Sequence, residues 1–249
     1  MADFVNTIEL LVDDVCTIQA LERTMTEFND DLIETIGPYA FYYSNALTGV
    51  NLPNVTTIGS FAFYACKALE SAVVPKVASL GPSSFQACQL LKSFVSTELT
   101  QIGDNSFNGC AGLESVIIPK AKTISSYVFQ GCQALTSVSF PELTNVEHTT
   151  FAGCISLVFA DVGLASNINT SSFSGTSALK SLVLRKSDAI CRLVTVDAFR
   201  NSSFAVGGTG GTAYVPQSLI SEYQNATNWS TLYAAGTCNF VALEGSEYE

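Results

Sequence analysis

Apolar and polar positions follow one another in a pattern that returns every 22 residues over most of the chain. In the clearest part, from Ile58 to Asn167, each repeat carries a phenylalanine, a cysteine and a leucine at steps of three residues. The cysteines are Cys66, Cys88, Cys110, Cys132 and Cys154, the phenylalanines Phe63, Phe85, Phe107, Phe129 and Phe151, and the leucines Leu69, Leu91, Leu113, Leu135 and Leu157. A fixed period of this length predicts a solenoid of stacked coils.

The same phase continues by one repeat on either side, so residues 32–189 form seven repeats. Within a repeat, the phenylalanine, cysteine and leucine at steps of three predict a short helical or 3-10 turn with one buried face. The following residues alternate as in a strand: Val116 and Ile118 are predicted to point inward and Ile117 outward. We therefore expect a parallel β-sheet on one face of the solenoid, with short helical or 3-10 turns opposite and a cap at each end.

Residues 1–31 precede the repeats and carry apolar residues at three- and four-residue steps, which predicts an amphipathic helix over about Asn6 to Phe28. Two interpretations of this segment stay open. It could be a cap that covers the exposed apolar end of the first coil, or an anchor or oligomerising helix. The candidate anchor face consists of Ile8, Leu11, Val15, Ile18 and Met25.

Residues 190–249 differ in composition and begin with an irregular last coil. The glycine-rich stretch 207–211 is interpreted as a flexible turn, because it lacks the Gly-Lys-Ser/Thr of a phosphate-binding loop. A short strand is predicted at 212–215 and a helix at 217–225, with Pro216 suited to its start. Residues 244–249 are predicted to be a solvated acidic tail.

The repeat resembles the BspA-type leucine-rich repeat of bacterial surface and phage-associated proteins, most closely in Ile58–Pro75 and Ile102–Pro119. The resemblance implies a leucine-rich-repeat solenoid, an α/β horseshoe-like fold. The C-terminal segment is similar to the closing module of such proteins in Firmicutes genomes and their prophages. The matching residues are Tyr214, Val215, Pro216, Tyr223, Asn228, Trp229 and Ser230. The resemblance implies that this module caps the edge of the last strand.

The charge composition of the chain disfavours two classes of binding partner. A net charge of -11 with only 11 lysines and arginines argues against nucleic acid, which needs many phosphate contacts, and against an anionic membrane surface. No run of 18 apolar residues predicts a membrane span. The first residues lack the basic start of an export signal. We therefore expect a chain that stays inside the cell, reaches the outside within an assembly, or has lost its leader.

Candidate chemistry is sparse. The five cysteines of the repeat occupy one column, so we interpret them as small buried apolar side chains. Metal or disulfide roles are disfavoured because there is no C-x2-C pair. The chain has one histidine, His148, and no G-x-S-x-G motif. No catalytic residue, metal site or cofactor is predicted, and the chain is not expected to be an enzyme.

The outward strand position of the repeat is the candidate binding face. At 22-residue steps it contains Asn51, Val73, Val95, Ile117, Ser139, Asp161 and Val183. Exposed valine and isoleucine can reflect β-propensity alone. They can also form a contact surface, because solenoids bind along an extended sheet face.

Together these features predict a non-enzymatic interaction protein. The first hypothesis is a structural, decoration or host-adhesion component of a phage virion, docked through residues 1–31. The alternative is a secreted bacterial surface adhesin of the BspA type. The expected partners are other virion or surface proteins, a host-surface protein or a glycan, and a second copy of the chain bound through the N-terminal segment.

Overall fold

The computed structural model describes residues 25–249 and the backbone of Thr7–Ile8. In this part the chain winds into a parallel-strand β-solenoid whose coils are 22 residues apart through the repeats. The predicted leucine-rich-repeat solenoid is thereby confirmed. Each coil has three sides, of which two contribute strands to ladders that run along the solenoid.

The first ladder consists of two-residue strands that begin each repeat. One sheet contains β1 (Thr7–Ile8), β3 (Thr35–Ile36), β5 (Thr57–Ile58), β7 (Ser79–Leu80), β9 (Gln101–Ile102) and β11 (Thr123–Ile124), paired in that order. The ladder continues through a bridge between Val146 and Ile168 and through β14 (Asn167–Ile168) paired with β16 (Arg192–Leu193). From β3 onward the aliphatic residue of each of these strands is buried.

The second ladder carries the candidate binding face and consists of two five-stranded parallel sheets that follow one another along the solenoid. The first contains β2 (Glu27–Asn29), β4 (Gly49–Asn51), β6 (Ser71–Val73), β8 (Ser93–Val95) and β10 (Ser115–Ile117). The second contains β12 (Ser137–Ser139), β13 (Phe159–Asp161), β15 (Ser181–Val183), β17 (Gly211–Val215) and β18 (Cys238–Ala242). All pairs are parallel, and equivalent residues of successive repeats face each other, as Ser71 faces Ser93. In β6, β8, β10 and β12 the middle residue is buried and its two neighbours are exposed.

The third side of each coil is not helical, in contrast to the predicted short helical or 3-10 turns. It consists of successive hydrogen-bonded turns in which two residues per coil adopt positive φ, such as Phe61 (58°) and Ala65 (56°). These residues interrupt the helical path and turn alternate N–H groups toward the next coil. The N–H of Phe63, for example, donates to the carbonyl of Ser84 at 2.7 Å. The third side therefore also forms a backbone ladder between coils.

Helices occur only near the C-terminal end of the described residues. They are a 3-10 helix at Val196–Phe199, a second at Gln217–Leu219 that leads into α1 (Ile220–Asn225), and α2 (Trp229–Ala234).

The phenylalanines of the repeat form a continuous row through the core. Rings of successive coils stack with centroids 4.9 to 5.7 Å apart and interplanar angles of at most 19°. The row contains Phe41, Phe63, Phe85, Phe107, Phe129, Phe151, Phe173 and Phe199. Offset stacked aromatic pairs stabilise by more than their buried area alone. This row ties each coil to the next.

The cysteine column lies beside that row. Each of the five thiols donates a hydrogen bond to the carbonyl of the phenylalanine 25 residues earlier, over 3.0 to 3.2 Å. Burial raises the pKa of Cys110 and of Cys154 to about 12. All seven described cysteines are free and buried, and Cys16 lies outside the described residues. The cysteines thus fill space as predicted and also serve as hydrogen-bond donors.

The predicted N-terminal helix over Asn6–Phe28 is wrong at both of its described ends. Thr7–Ile8 is a strand that pairs with Thr35–Ile36, and Glu27–Asn29 is a strand that pairs with Gly49–Asn51. Phe28 stands 22 residues before Val50 and packs its ring 5.0 Å from Phe41. At these two ends, continuation of the sheets and of the aromatic row outweighs the helical spacing, and residues 9–24 lie outside the described residues.

The candidate anchor face is affected in the same way. Ile8 belongs to β1, and Met25 is half-buried and packs against the solenoid core. Leu11, Val15 and Ile18 lie outside the described residues. The proposed anchor or oligomerising role of this face stays a prediction.

The C-terminal module closes the last coil. The buried Trp229 donates from Nε1 to the carbonyl of Cys191 at 2.7 Å, and the hydroxyl of Tyr223 accepts from the Cys191 N–H at 2.7 Å. Asn228 donates from Nδ2 to the carbonyls of Leu193 and Val194, at 2.8 and 3.0 Å. These bonds satisfy backbone groups at the open edge of β16, which would otherwise need water or another chain.

The acidic tail at 244–249 is not simply solvated, contrary to the prediction. Tyr248 is half-buried, and its ring lies 4.9 Å from Phe159 and 4.7 Å from Tyr214. The carboxylate of Glu244 accepts from the Gln217 N–H at 2.8 Å. The aromatic ring within the tail gives it enough apolar surface to fold back on the sheet.

Candidate interaction surface

Five of the seven residues of the candidate binding face form an exposed line across the second ladder. We call Asn51, Val73, Val95, Ile117 and Ser139 the strand stripe; each is the last residue of its strand and is exposed. The three central side chains are apolar, and 51% of Val73, 39% of Val95 and 55% of Ile117 is exposed. Val95 faces Val73 on one side and Ile117 on the other in the strand register. The three therefore form one contiguous apolar patch.

Asp161 and Val183 share the column but are buried, so their place in the binding face is corrected. Asp161 forms an ion pair with Arg185, with Oδ2 2.9 Å from Nη2. The C-terminal tail lies over this end of the sheet, where Tyr248 packs against Phe159 of β13 and Tyr214 of β17. Val183 lies in β15 between those two strands. The open part of the surface consequently ends at Ser139.

The borders of the strand stripe are polar, and many of their charges are paired. The first residue of β6, β8, β10 and β12, two positions before the stripe residue, is an exposed serine: Ser71, Ser93, Ser115 and Ser137. Beyond them Lys92 lies 2.7 Å from Glu70, which raises the pKa of Lys92. On the other side Lys120 lies 2.8 Å from Glu98 and lowers the pKa of that carboxyl. Such exposed pairs add little stability, but they reduce the net charge beside the patch.

Other chemistry is sparse in the described residues. Among residues 25–249, no group of three or more His, Cys, Asp or Glu side chains is arranged to hold a metal ion. His148 is exposed in the third side of the sixth repeat, and its carbonyl accepts from the Tyr127 N–H at 3.0 Å. No helix of the described part is both long and apolar enough to cross a bilayer.

A second exposed surface is marked in the sequence by tyrosines in the first two repeats. Tyr39, Tyr42 and Tyr43 stand in the segment that forms the third side of the first coil, and all three are exposed. The sequence signal that could have revealed Tyr42 and Tyr43 is the presence of tyrosine at positions where later repeats carry small or polar residues, such as Asn108 and Gly109. The position of Tyr39 carries a tyrosine again in the fifth repeat, at Tyr127.

Comparison with known proteins agrees with this geometry. The family model described as "BspA type Leucine rich repeat region" matches residues 24–121 and 100–206, with six copies. The T. pallidum leucine-rich repeat protein TpLRR is similar in structure, with a TM-score of 0.55 and 28% identity over 59% of this chain and 72% of that one. The pneumococcal vaccine antigen PcpA shares the fold, with a TM-score of 0.53 and 15% identity over 87% of this chain and 67% of that one. Curated protein sequences give no match.

Proposed function

Because the chain belongs to the family of proteins with BspA-type leucine-rich repeats, we propose that it is a non-enzymatic interaction protein presented at a bacterial surface. It binds a protein partner through the strand stripe. The single observation that carries this proposal is the apolar patch of Val73, Val95 and Ile117 on the open face of the sheet. Contiguous exposed apolar patches mark interaction sites more often than scattered apolar residues do.

The rigidity of the sheet supports binding. Asn51, Val73 and Val95 lie in strands that are paired on both sides, whereas the strands of Ile117 and Ser139 are paired on one side. The buried residue beside each of the five packs in the core. A surface that is ordered before binding loses little conformational entropy on binding. The patch has short aliphatic side chains at its centre and serines at its border, which matches the apolar core and polar rim of protein–protein interfaces. A protein partner that inserts an apolar side chain at the centre would suit it.

The bacterial-surface location rests on the family to which the chain belongs. Location on a phage particle stays a prediction, supported by the resemblance of the repeats to phage-associated ones and by the idea that residues 1–31 dock onto the particle. Mass spectrometry of purified phage particles and of the envelope fraction of the producing cells tests it. Recovery of the chain in the envelope fraction alone would refute the virion hypothesis.

Photo-crosslinking from inside the patch tests the partner. A photoreactive amino acid replaces Val95 in the full chain, which is then irradiated with the envelope fraction and culture supernatant of the producing bacterium and with host cells. We expect one dominant protein adduct, absent when the same photoreactive residue replaces Leu90, which is 50% exposed on the third side. A dominant adduct with the chain itself would instead identify a homo-oligomer and refute the proposed partner.

Affinity measurements on the identified partner complete the test. Ile117→Asp places a charge in the patch without disturbing the core, since the residue is 55% exposed. We expect this variant to weaken binding at least tenfold, while Leu90→Asp, a matched change off the patch, leaves it unchanged. Equal effects of the two variants, or none, would overturn the proposal.

A further inference from the structure

The third side of the first two coils carries an exposed group of aromatic rings. We call Tyr39, Tyr42, Tyr43, Phe61 and Tyr64 the aromatic cluster. Of their surfaces, 47% of Tyr39 and 40% of each of Tyr42 and Tyr43 is exposed. Tyr39 stacks on Phe61 with centroids 5.1 Å apart, and Tyr42 stacks on Tyr64 at the same distance. The rings thus hold one another in place while presenting faces and hydroxyls to solvent.

The backbone beneath the cluster is strained. Tyr43 has a φ of 60°, in a position of the repeat where later coils carry Gly109, Gly131, Gly153 and Gly175. Tyr39 and Phe61 also have positive φ, at 60° and 58°. A bulky side chain in this left-handed region is unfavourable. Because Tyr43 is 40% exposed and its ring contacts those of Tyr42 and Tyr64, core packing does not explain its presence. Strain of this kind concentrates at binding sites.

The surface beside the cluster is polar and nearly uncharged. Along the solenoid, the position held by Tyr42 and Tyr64 becomes Gln86, Asn108 and Gln130, all half-buried. We call these three the amide column. The Nδ2 of Asn108 donates to Oε1 of Gln130 at 2.9 Å, which orients both amides.

Charge is scarce on this side of the first five repeats. The turn segments 37–46, 59–68, 81–90, 103–112 and 125–134 contain only two charged residues, Lys67 and Asp104. That scarcity contrasts with the net charge of -11 for the whole chain.

We propose that the aromatic cluster and the amide column form a binding site for a neutral saccharide chain that lies along the solenoid. The apolar faces of tyrosine and phenylalanine rings can cover the C–H faces of sugar rings. Amide and phenol groups can each donate to and accept from sugar hydroxyls. Lys67 is the single cation in these five turn segments, so the surface offers little to pair with the carboxylates or phosphates of an acidic polymer. The site is separate from the strand stripe, so its failure would leave the proposed function standing.

Titration against saccharides of defined charge tests the proposal. The full chain is applied to an array of neutral bacterial and host glycans and of uronate-, sialate- and phosphate-containing ones, and hits are measured by calorimetry. We expect hits among neutral chains. Tyr43→Gly should weaken their binding at least tenfold without lowering the midpoint of thermal unfolding, because it also removes the backbone strain. Asn108→Ala should weaken binding several-fold.

The matched control is Tyr233→Ala, which removes a 41% exposed tyrosine from α2 at the opposite end of the chain and should leave binding unchanged. An array without neutral hits, hits confined to acidic glycans, or neutral hits that Tyr43→Gly does not weaken would each overturn the proposal. Loss of protein-partner binding in Tyr43→Gly, with no glycan hit, would assign the cluster to a protein interface and overturn it as well.

Discussion

We predict that the buried thiols make the solenoid lose stability at alkaline pH. Six described cysteines have a pKa raised chiefly by burial: Cys88, Cys110, Cys132, Cys154, Cys191 and Cys238. In the unfolded chain a thiol titrates near 9.0, whereas the pKa of Cys110 in the folded protein is about 12. The unfolded state therefore loses protons first as the pH rises. The stability that the protonated thiols contribute is therefore fully present below about pH 9 and is lost as the pH rises from about 9 towards about 12.

The magnitude follows from this difference. At one pH unit above the unfolded pKa, each thiol that stays protonated in the folded state lowers the free energy of unfolding by about 1.4 kcal/mol. For all six thiols the loss comes to roughly 8 kcal/mol, on the scale of the 5–15 kcal/mol that stabilises a typical protein. We therefore expect the urea midpoint to fall steeply between pH 8 and pH 10.

Urea unfolding with a reductant present, followed by the fluorescence of Trp229 and by circular dichroism, measures the effect. The control is the double variant Cys110→Ser and Cys132→Ser, because a serine hydroxyl can donate to the same carbonyls and does not titrate in this range. Its loss of stability from pH 8 to pH 10 should be smaller by about 3 kcal/mol. A free energy of unfolding that stays within about 1 kcal/mol over this range, or an equal loss in the double variant, would refute the reasoning.

Three further predictions concern the packing of the coils, and urea unfolding at neutral pH checks each of them. Phe107→Ala should cost about 3–5 kcal/mol, while Phe107→Leu, which keeps most of the volume, should cost about 1.5 kcal/mol or less; equal costs would argue against the ring stack. Ala87→Gly should stabilise by about 1 kcal/mol because Ala87 has a φ of 62°, and Gly153→Ala, at 74°, should destabilise by about as much; the opposite signs would contradict the backbone assignment. Trp229→Phe should cost about 1–3 kcal/mol because the carbonyl of Cys191 loses its indole donor; an unchanged midpoint would show that this bond contributes nothing.

Much of the fold could be predicted from the sequence because one period sets every register. Once the cysteines are seen to recur at 22 residues, the pairing of Val73 with Val95 and of Val95 with Ile117 follows. The outward direction of these side chains follows from strand alternation. The same period includes Phe28 and Val50. Around Phe28, however, apolar residues at steps of three and four predicted a helix. A strand of three residues is too short for the alternation of buried and exposed residues to be recognised in the sequence.

What could not be predicted depends on contacts between distant parts of the chain or on backbone angles. Asp161 and Val183 obey the period, but they are covered at an end of the sheet where Tyr248 packs, far along the chain. The positive φ of Tyr43 could not be predicted from the residue type, because tyrosine, unlike glycine, has no preference for left-handed backbone angles. Only comparison of one position across the repeats, with glycine in the later coils, reveals it.

The identical pairing from coil to coil makes the length of the strand stripe adjustable. Between Ser93 and Ser115 one complete 22-residue unit brings the chain to the paired position on the next strand. Tandem duplication of such a unit would lengthen the patch by about 4.8 Å and leave both ends of the solenoid unchanged. Unequal recombination between repeats can therefore change the length of the strand stripe in steps of one coil.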